Sequence, residues 1–333
     1  MFSRSHGSLM ILLQFRNQQV INHIAPDTRP VTAEKITRYD AYSQGLEACA
    51  IFVGPTQDPI IWFANLPFPT AYNIFSGAAP PDHRELYARY EAMRKVGSLR
   101  SRLCHFKDGH VIQVDLPNTP GIFSIQQPIG ENYLVTEHVD HASRNNAHII
   151  SPKGEVLKGL NLGHAINKLQ VSESLEIWVA YSEEGVYSED KLSQNGLVCL
   201  DIEQNLLYSA GDDGIPVSDN NGLNVVSNDE VWFDFENLTK LQNKTVKETY
   251  PKADEYHSYD FAVKGKHMLA GRMLTPFSYL VLCNLETGEM QYLMPVNESN
   301  TIIAYSHTCA RGSRFYLMDH RDLYVIDLAS ITI

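Results

Sequence analysis

Leu169-Gln-Val-Ser-Glu-Ser-Leu-Glu-Ile-Trp-Val-Ala-Tyr181 decides the fold. It reads as two short apolar segments around a polar turn, which is the pattern of a β-hairpin. The same pattern returns as Ile125-Gln-Gln-Pro-Ile-Gly-Glu-Asn-Tyr-Leu-Val-Thr-Glu137 and as Leu223-Asn-Val-Val-Ser-Asn-Asp-Glu-Val-Trp-Phe-Asp-Phe235. Weaker copies start at Phe261 and Ser306. Their central bulky positions are Leu134, Trp178, Trp232, Leu269 and Tyr316, and Pro59-Ile-Ile-Trp62 offers a sixth. All three tryptophans of the chain therefore share one repeat position, which assigns them to packing between neighbouring sheets.

A second hairpin follows in most units. Its turns are Lys107-Asp-Gly109, Pro152-Lys-Gly154, the stretch around Gln204 and Glu286-Thr-Gly288, with a degenerate copy near Gln242. Glycine there supplies a positive φ. Cys104, Cys199 and Cys283 each stand five residues before such a turn. That shared register makes them buried repeat residues rather than ligands or nucleophiles.

Four strands per unit of about 40–45 residues is the arithmetic of a β-propeller blade. The units run over 46–115, 121–160, 164–210, 222–250, 255–296 and 301–328. The expected fold is all-β, a single six-bladed propeller over 1–333, or seven-bladed if the first 60 residues hold another blade. The last unit supplies only three strands, so an N-terminal strand at 10–15 is expected to close it. The first unit carries an insertion at 66–99. It opens on a Pro- and aromatic-rich loop and continues as a helix over Asp82–Val96, with Asp82 and Glu85 as cap and Gly97 as stop.

The 333 residues carry 27 Lys plus Arg against 39 Asp plus Glu, a formal charge of −12. A chain of this sign is ill-suited to a nucleic-acid backbone and suits a basic protein partner. No apolar run reaches the 18 residues that a membrane span needs. Five cysteines with no C-x-x-C pair fit a reducing compartment, and the expected location is the cytoplasm. There is no G-x-S-x-G, P-loop, G-x-G-x-x-G or H-E-x-x-H motif.

Polar residues just after the central slot would meet at one channel mouth. They include His138, Asp140, His141, Tyr181, Glu183, Glu184, Asp234, Glu236, Arg272, Asp319 and His320. Histidines and carboxylates suit a divalent metal or acid–base work; solvated turns of an acidic protein would have the same composition. Asn221-Gly-Leu-Asn-Val-Val-Ser-Asn-Asp229 resembles the N-G-L-x-φ-S-x-D segment of SMP-30/gluconolactonase-like propellers. The resemblance covers about ten residues, with one extra residue before Ser227 and no counterpart of the family's E-G-P motif. It implies a metal ligand at Asn221, and Ca²⁺ as the favoured ion. The region around Trp178 is also similar to segments of uncharacterised bacterial propeller-like proteins, which implies no activity.

Two functions follow as expectations. The first is a non-catalytic propeller that binds a macromolecule without a cofactor, such as a neutralising or immunity-type partner of a basic protein. Phe68, Tyr72, Phe75, Tyr87 and Tyr90 of the insertion are its candidate contacts. The second is a metal-dependent hydrolase or lyase of SMP-30/lactonase type, with Glu184, Asn221, Asp234 and His138 as candidate ligands.

Overall fold

The computed structural model describes residues 28–65, 92–93, 95–116, 122–137, 145–215, 218, 221–251, 260–274, 277–319 and 321–331. Six antiparallel sheets stand in chain order. Blade 1 is Glu47–Val53, Pro59–Ala64, Ser101–Lys107 and His110–Asp115. Blade 2 is Ile122–Ile129, Asn132–Glu137, Ala147–Ile150 and Val156–Leu160. Blade 3 is Ile166–Val171, Ile177–Tyr181, Leu197–Leu200 and Leu206–Ser209. Blade 4 is Gly222–Val225, Glu230–Asp234, Asn237–Gln242 and Thr245–Pro251. Blade 5 is Phe261–Lys264, His267–Leu274, Phe277–Asn284 and Met290–Val296. Blade 6 is His307–Arg311, Arg314–Met318 and Asp322–Asp327. The first strand of each blade is innermost, and each inner strand touches the next around a closed ring. The molecule is a six-bladed β-propeller.

The repeat register holds. Trp62, Leu134, Trp178, Trp232, Leu269 and Tyr316 all lie on the second strand of their blades, and none is more than 3% exposed. Each fills a different one of the six apolar cores between adjacent blades. Burying one large side chain there is worth about 1.5–3 kcal/mol. The turn positions Gly109, Gly154, Gln204 and Gly288 all have positive φ, from 67° to 82°. Cys104, Cys199 and Cys283 lie on the third strands, and all five cysteines are free and buried. Burial pushes every thiol upward, Cys49 and Cys104 to about 12, so none is held as a nucleophilic thiolate.

The closing strand is not where the sequence placed it. Glu34–Arg38 takes the outer edge of blade 6, antiparallel to Asp322–Asp327. The segment 10–15 lies outside the described residues. Just before it, Arg29–Thr32 adds a fifth, parallel strand to blade 5. Ala33 joins the two: it is fully buried in the core between blades 5 and 6, and its N–H reaches Val296 O at 2.8 Å. The short polar strands Arg-Pro-Val-Thr and Glu-Lys-Ile-Thr-Arg lack the apolar density of Leu9–Leu13. An outer strand needs only edge hydrogen bonds and one buried face, which is why polar segments suffice.

The helix expected over Asp82–Val96 lies mostly outside the described residues. Its end is visible: Val96 N–H bonds Ala92 O at 3.3 Å, and Gly97 has φ +65°. Asp319 Oδ1 accepts from the N–H groups of Arg321 and Asp322 at 2.7 and 2.6 Å.

A buried imidazole stands between blades 1 and 2. His105, on the third strand of blade 1, is fully buried. Its Nδ1 stands 3.2 Å from the Tyr133 hydroxyl of blade 2. Burial pushes its pKa down to about 4. The unfolded chain takes up this proton near pH 6.5 and the folded chain does not, so the unfolded state binds more protons between these values. Stability should therefore fall as pH drops from about 6.5 toward 4, with His105 contributing about 3 kcal/mol of that loss. Urea unfolding of His105→Phe should show a shallower acid limb than the parent; identical pH slopes would refute the assignment.

Candidate functional site

Inner strands are sheet edges, so their outward backbone groups need partners. Here side chains from four blades supply them. Gln170 Nε2 donates to Leu223 O at 3.2 Å and across the axis to Ala310 O of blade 6 at 3.0 Å. Its Oε1 accepts from Val225 N at 2.8 Å. Asn224 Nδ2 donates to Phe261 O at 2.8 Å and Gly312 O at 3.0 Å, and its Oδ1 accepts from Gly312 N at 2.7 Å. Gln126 Oε1 accepts from Val171 N at 3.4 Å. Arg311, 2% exposed, donates through Nη2 to Val171 O at 2.7 Å. Blades 3 and 6 are opposite one another in the ring, so Gln170 and Arg311 bridge the axis in both directions. The channel is plugged.

The plug follows the repeat. Gln126, Gln170 and Asn224 pair across their hairpins with the slot residues Leu134, Trp178 and Trp232. The same register in blades 5, 6 and 1 holds Ala262, Cys309 and Ala50. Three long amides thus face three small residues around one axis.

Above the plug lies a polar floor. Lys168 Nζ of blade 3 meets Asp260 Oδ1, just before blade 5, at 2.9 Å. Thr308 Oγ1 of blade 6 donates to Asp260 Oδ2 at 2.7 Å. None of these three residues was singled out from sequence. The amide at the second position of the three best repeat copies was a visible signal for the plug. Nothing in sequence order joins Lys168 to Asp260 or Thr308.

Of the expected metal ligands, the described residues bring two together. Asn221 and Asp234 are neighbours at the mouth of blade 4: Asn221 N–H donates to Asp234 O at 2.7 Å, and Asp234 is fully buried. Glu184 is exposed on a one-turn helix, Glu183–Val186, and accepts from the Ser182 hydroxyl. His138, with Asp140, His141 and His320, lies outside the described residues. Among the described residues, no three His, Cys, Asp or Glu side chains form a metal-ligating group. Tyr181 serves packing: it is fully buried and donates to Leu162 O at 2.7 Å.

A serine, an aspartate and a histidine do meet on blade 3. Ser193 is fully buried, donates to Asp190 Oδ2, and accepts from the backbone N–H of His164 at 2.6 Å. The imidazole takes no part in that chain of bonds, so the trio braces a loop and does not activate a nucleophile.

Loop lengths separate the two ends of the ring. At the end where inner strands terminate, every connection is two to five residues long. The mouth end carries all the long connections, 65–100, 138–146, 182–196, 210–221, 252–260 and 297–306, alongside short ones such as 161–165 and 235–236. The insertion thus emerges at the mouth. Its candidate contacts Phe68, Tyr72, Phe75, Tyr87 and Tyr90 lie outside the described residues.

Asn224→Leu keeps side-chain size but strips three backbone groups of their partners. The loss should cost about 3 kcal/mol or more, read from the shift in urea midpoint. A variant as stable as the parent would show that the plug is dispensable.

No family model and no curated protein matches the chain. Solved structures do. A candidate gluconolactonase is 11% identical at a TM-score of 0.46, over 90% of this chain and 94% of that one. The WD40 propeller domain of Doa1 is 11% identical at 0.42, over 68% and 85%. A chain of the nidogen/laminin complex is 8% identical at 0.43, over 77% and 81%. At such identities the likeness is one of fold. The six sheets and the closed ring of inner strands place this chain, on its own geometry, among the six-bladed β-propellers.

Proposed function

We propose that this propeller is a non-catalytic scaffold that holds a basic protein partner on its loop-bearing face. The plugged channel carries the reading. Gln170, Asn224 and Arg311 fill the axis where a propeller enzyme would seat a small molecule, while the long connections at the mouth offer a broad surface. A neutralising partner of a cationic protein in a reducing cytoplasm is its concrete form.

Charge supports the sign of the partner. Among the described residues, the mouth connections of blades 3 and 4 expose Glu183, Glu184, Glu189, Asp212, Asp213 and Glu236, against the cation Lys191. Several carboxylates elsewhere are matched: Lys244 pairs with Glu176, Lys240 with Glu230, Lys266 with Glu248 and Lys158 with Glu203. An acidic rim of this kind steers a basic partner, and does so less at high salt.

Affinity capture from native lysate tests this. The intact chain should retain a basic protein at low salt. A Glu183→Lys/Glu184→Lys/Asp212→Lys/Asp213→Lys variant should lose it at least tenfold, and so should deletion of 66–99. An unchanged set of captured proteins with either variant would overturn the assignment. Ca²⁺, Mg²⁺ and Zn²⁺ should leave the Tm of chelator-treated protein unchanged. A rise of several degrees that Asp234→Asn abolishes would instead favour the metal-dependent hydrolase.

A further inference from the structure

On the third strand of blade 4, Leu241, Thr239 and Asn237 share the face that looks toward blade 3. Leu241 lies in the apolar core between the two blades, together with Phe235 and Tyr208. Two residues nearer the mouth, the row turns polar at Thr239, which pairs with Thr249 of the outer strand. The loop that leaves blade 3 stands opposite. Its Ile215 bonds through N–H to Ala210 O at 3.1 Å and packs against the same core. A cavity of about 240 Å³ lies between loop and strand. Ile215, Phe235 and Val246 give it apolar walls, and Glu236, Thr239 and Thr249 give it oxygen atoms.

Size limits the occupant. The volume is below the roughly 300–1,000 Å³ of a site for a whole small molecule, so it suits a single side chain. Hydrogen bonding calls for a polar one. Thr239 is only 5% exposed, yet its hydroxyl has no partner among the described residues. Such a group is costly to leave unmade, and an entering donor removes the cost. Charge sets the sign. Glu236 stands in the two-residue turn between Glu230–Asp234 and Asn237–Gln242, exposed and without a cation among the described residues. Asp212 and Asp213, on the opposite loop, are exposed and add charge of the same sign. No Lys or Arg among the described residues lines the cavity. Lys240 of the same strand takes the other face, where it pairs with Glu230 at 3.1 Å and lies over Trp232.

We infer that this cavity is the seat of an arginine side chain of the protein partner. The apolar walls suit the arginine's methylene stem. Its guanidinium brings five N–H donors to a carboxylate and two hydroxyls that can all accept. A lysine brings three donors on a compact, more strongly hydrated charge, and gains less from a half-apolar cleft. The inference rests on the basic partner proposed above and assigns that partner one anchoring residue. The cavity opens among the mouth connections of blades 3 and 4, and Glu236 is not one of the four carboxylates reversed in the charge variant.

Methyl NMR of the intact chain, titrated with the peptide Ac-Gly-Arg-Gly-NH₂ to about 20 mM, tests the seat without the partner. The Ile215, Val246 and Thr239 methyls should shift with a Kd of about 1 mM. The citrulline peptide, which keeps the shape and loses the charge, should bind at least tenfold more weakly, and the lysine peptide severalfold more weakly. Glu236→Gln should weaken the arginine peptide at least tenfold. Val246→Trp, which fills the cavity from its exposed side, should abolish those shifts, both variants keeping the parent's circular dichroism and Tm. Shifts spread over the acidic loops that leave Ile215 and Val246 unmoved overturn the inference, as does equal binding of the citrulline peptide. Capture from lysate separates this seat from the scaffold reading. A basic partner retained unchanged by both variants overturns the seat and leaves the scaffold standing. An arginine peptide that binds as expected, with no basic protein captured, supports the seat and overturns the scaffold.

Discussion

Six sheets meeting at one axis present six raw edges to each other, and the backbone of those edges must be hydrogen-bonded. Water in an open channel would serve. This chain uses its own amides. Gln170 and Asn224 each hold three backbone groups, and Arg311 returns the bridge from blade 6 to Val171. Asn224 and Arg311 are buried and Gln170 partly so, and a bond left unmade in such surroundings costs more than in water. Pulling the inner strands onto these side chains also sets the distance between blades. That distance is what lets Trp62, Trp178, Trp232 and their counterparts fill the cores between them.

Closure at the rim is a separate problem with a separate answer. A ring of blades built from one chain must join its ends, or it remains an open arc with two exposed faces. Glu34–Arg38 completes blade 6, and Arg29–Thr32 overlaps onto blade 5, so the N-terminal chain straddles the last seam. Ala33 sits fully buried in that seam, in the same core as Leu293 and Ile326. Edges that this strap does not reach depend on their own residues for protection.

The plug divides the molecule functionally. One end is made of tight turns, the other of long connections above the floor of Lys168, Asp260 and Thr308. A sealed axis removes depth from the mouth and leaves breadth. On the function proposed above, that breadth and its excess carboxylate would meet a basic protein surface. No helix of the described chain is long and apolar enough to cross a membrane.

Much of the architecture was legible in one dimension. A tryptophan, leucine or tyrosine recurring at one place in a hairpin pattern specified the blade, its strand positions and the burial of Cys104, Cys199 and Cys283. These are local or nearest-neighbour matters: strand alternation, turn chemistry and a core position repeated at each period. What the tertiary structure decided is everything that joins residues through the axis or across the seam. Gln170 finds Ala310, 140 residues away, and Lys168 finds Asp260, 92 residues away. Closure rests on Glu34–Arg38, whose polar sequence carries no strand signal beside the more apolar Leu9–Leu13. Sequence order also proposed a metal set from Glu184, Asn221, Asp234 and His138, of which the described fold joins only Asn221 and Asp234. Periodicity determines which face of a strand is buried. It does not determine which of six equivalent blades a side chain will meet, because that depends on ring closure, and ring closure exists only in three dimensions.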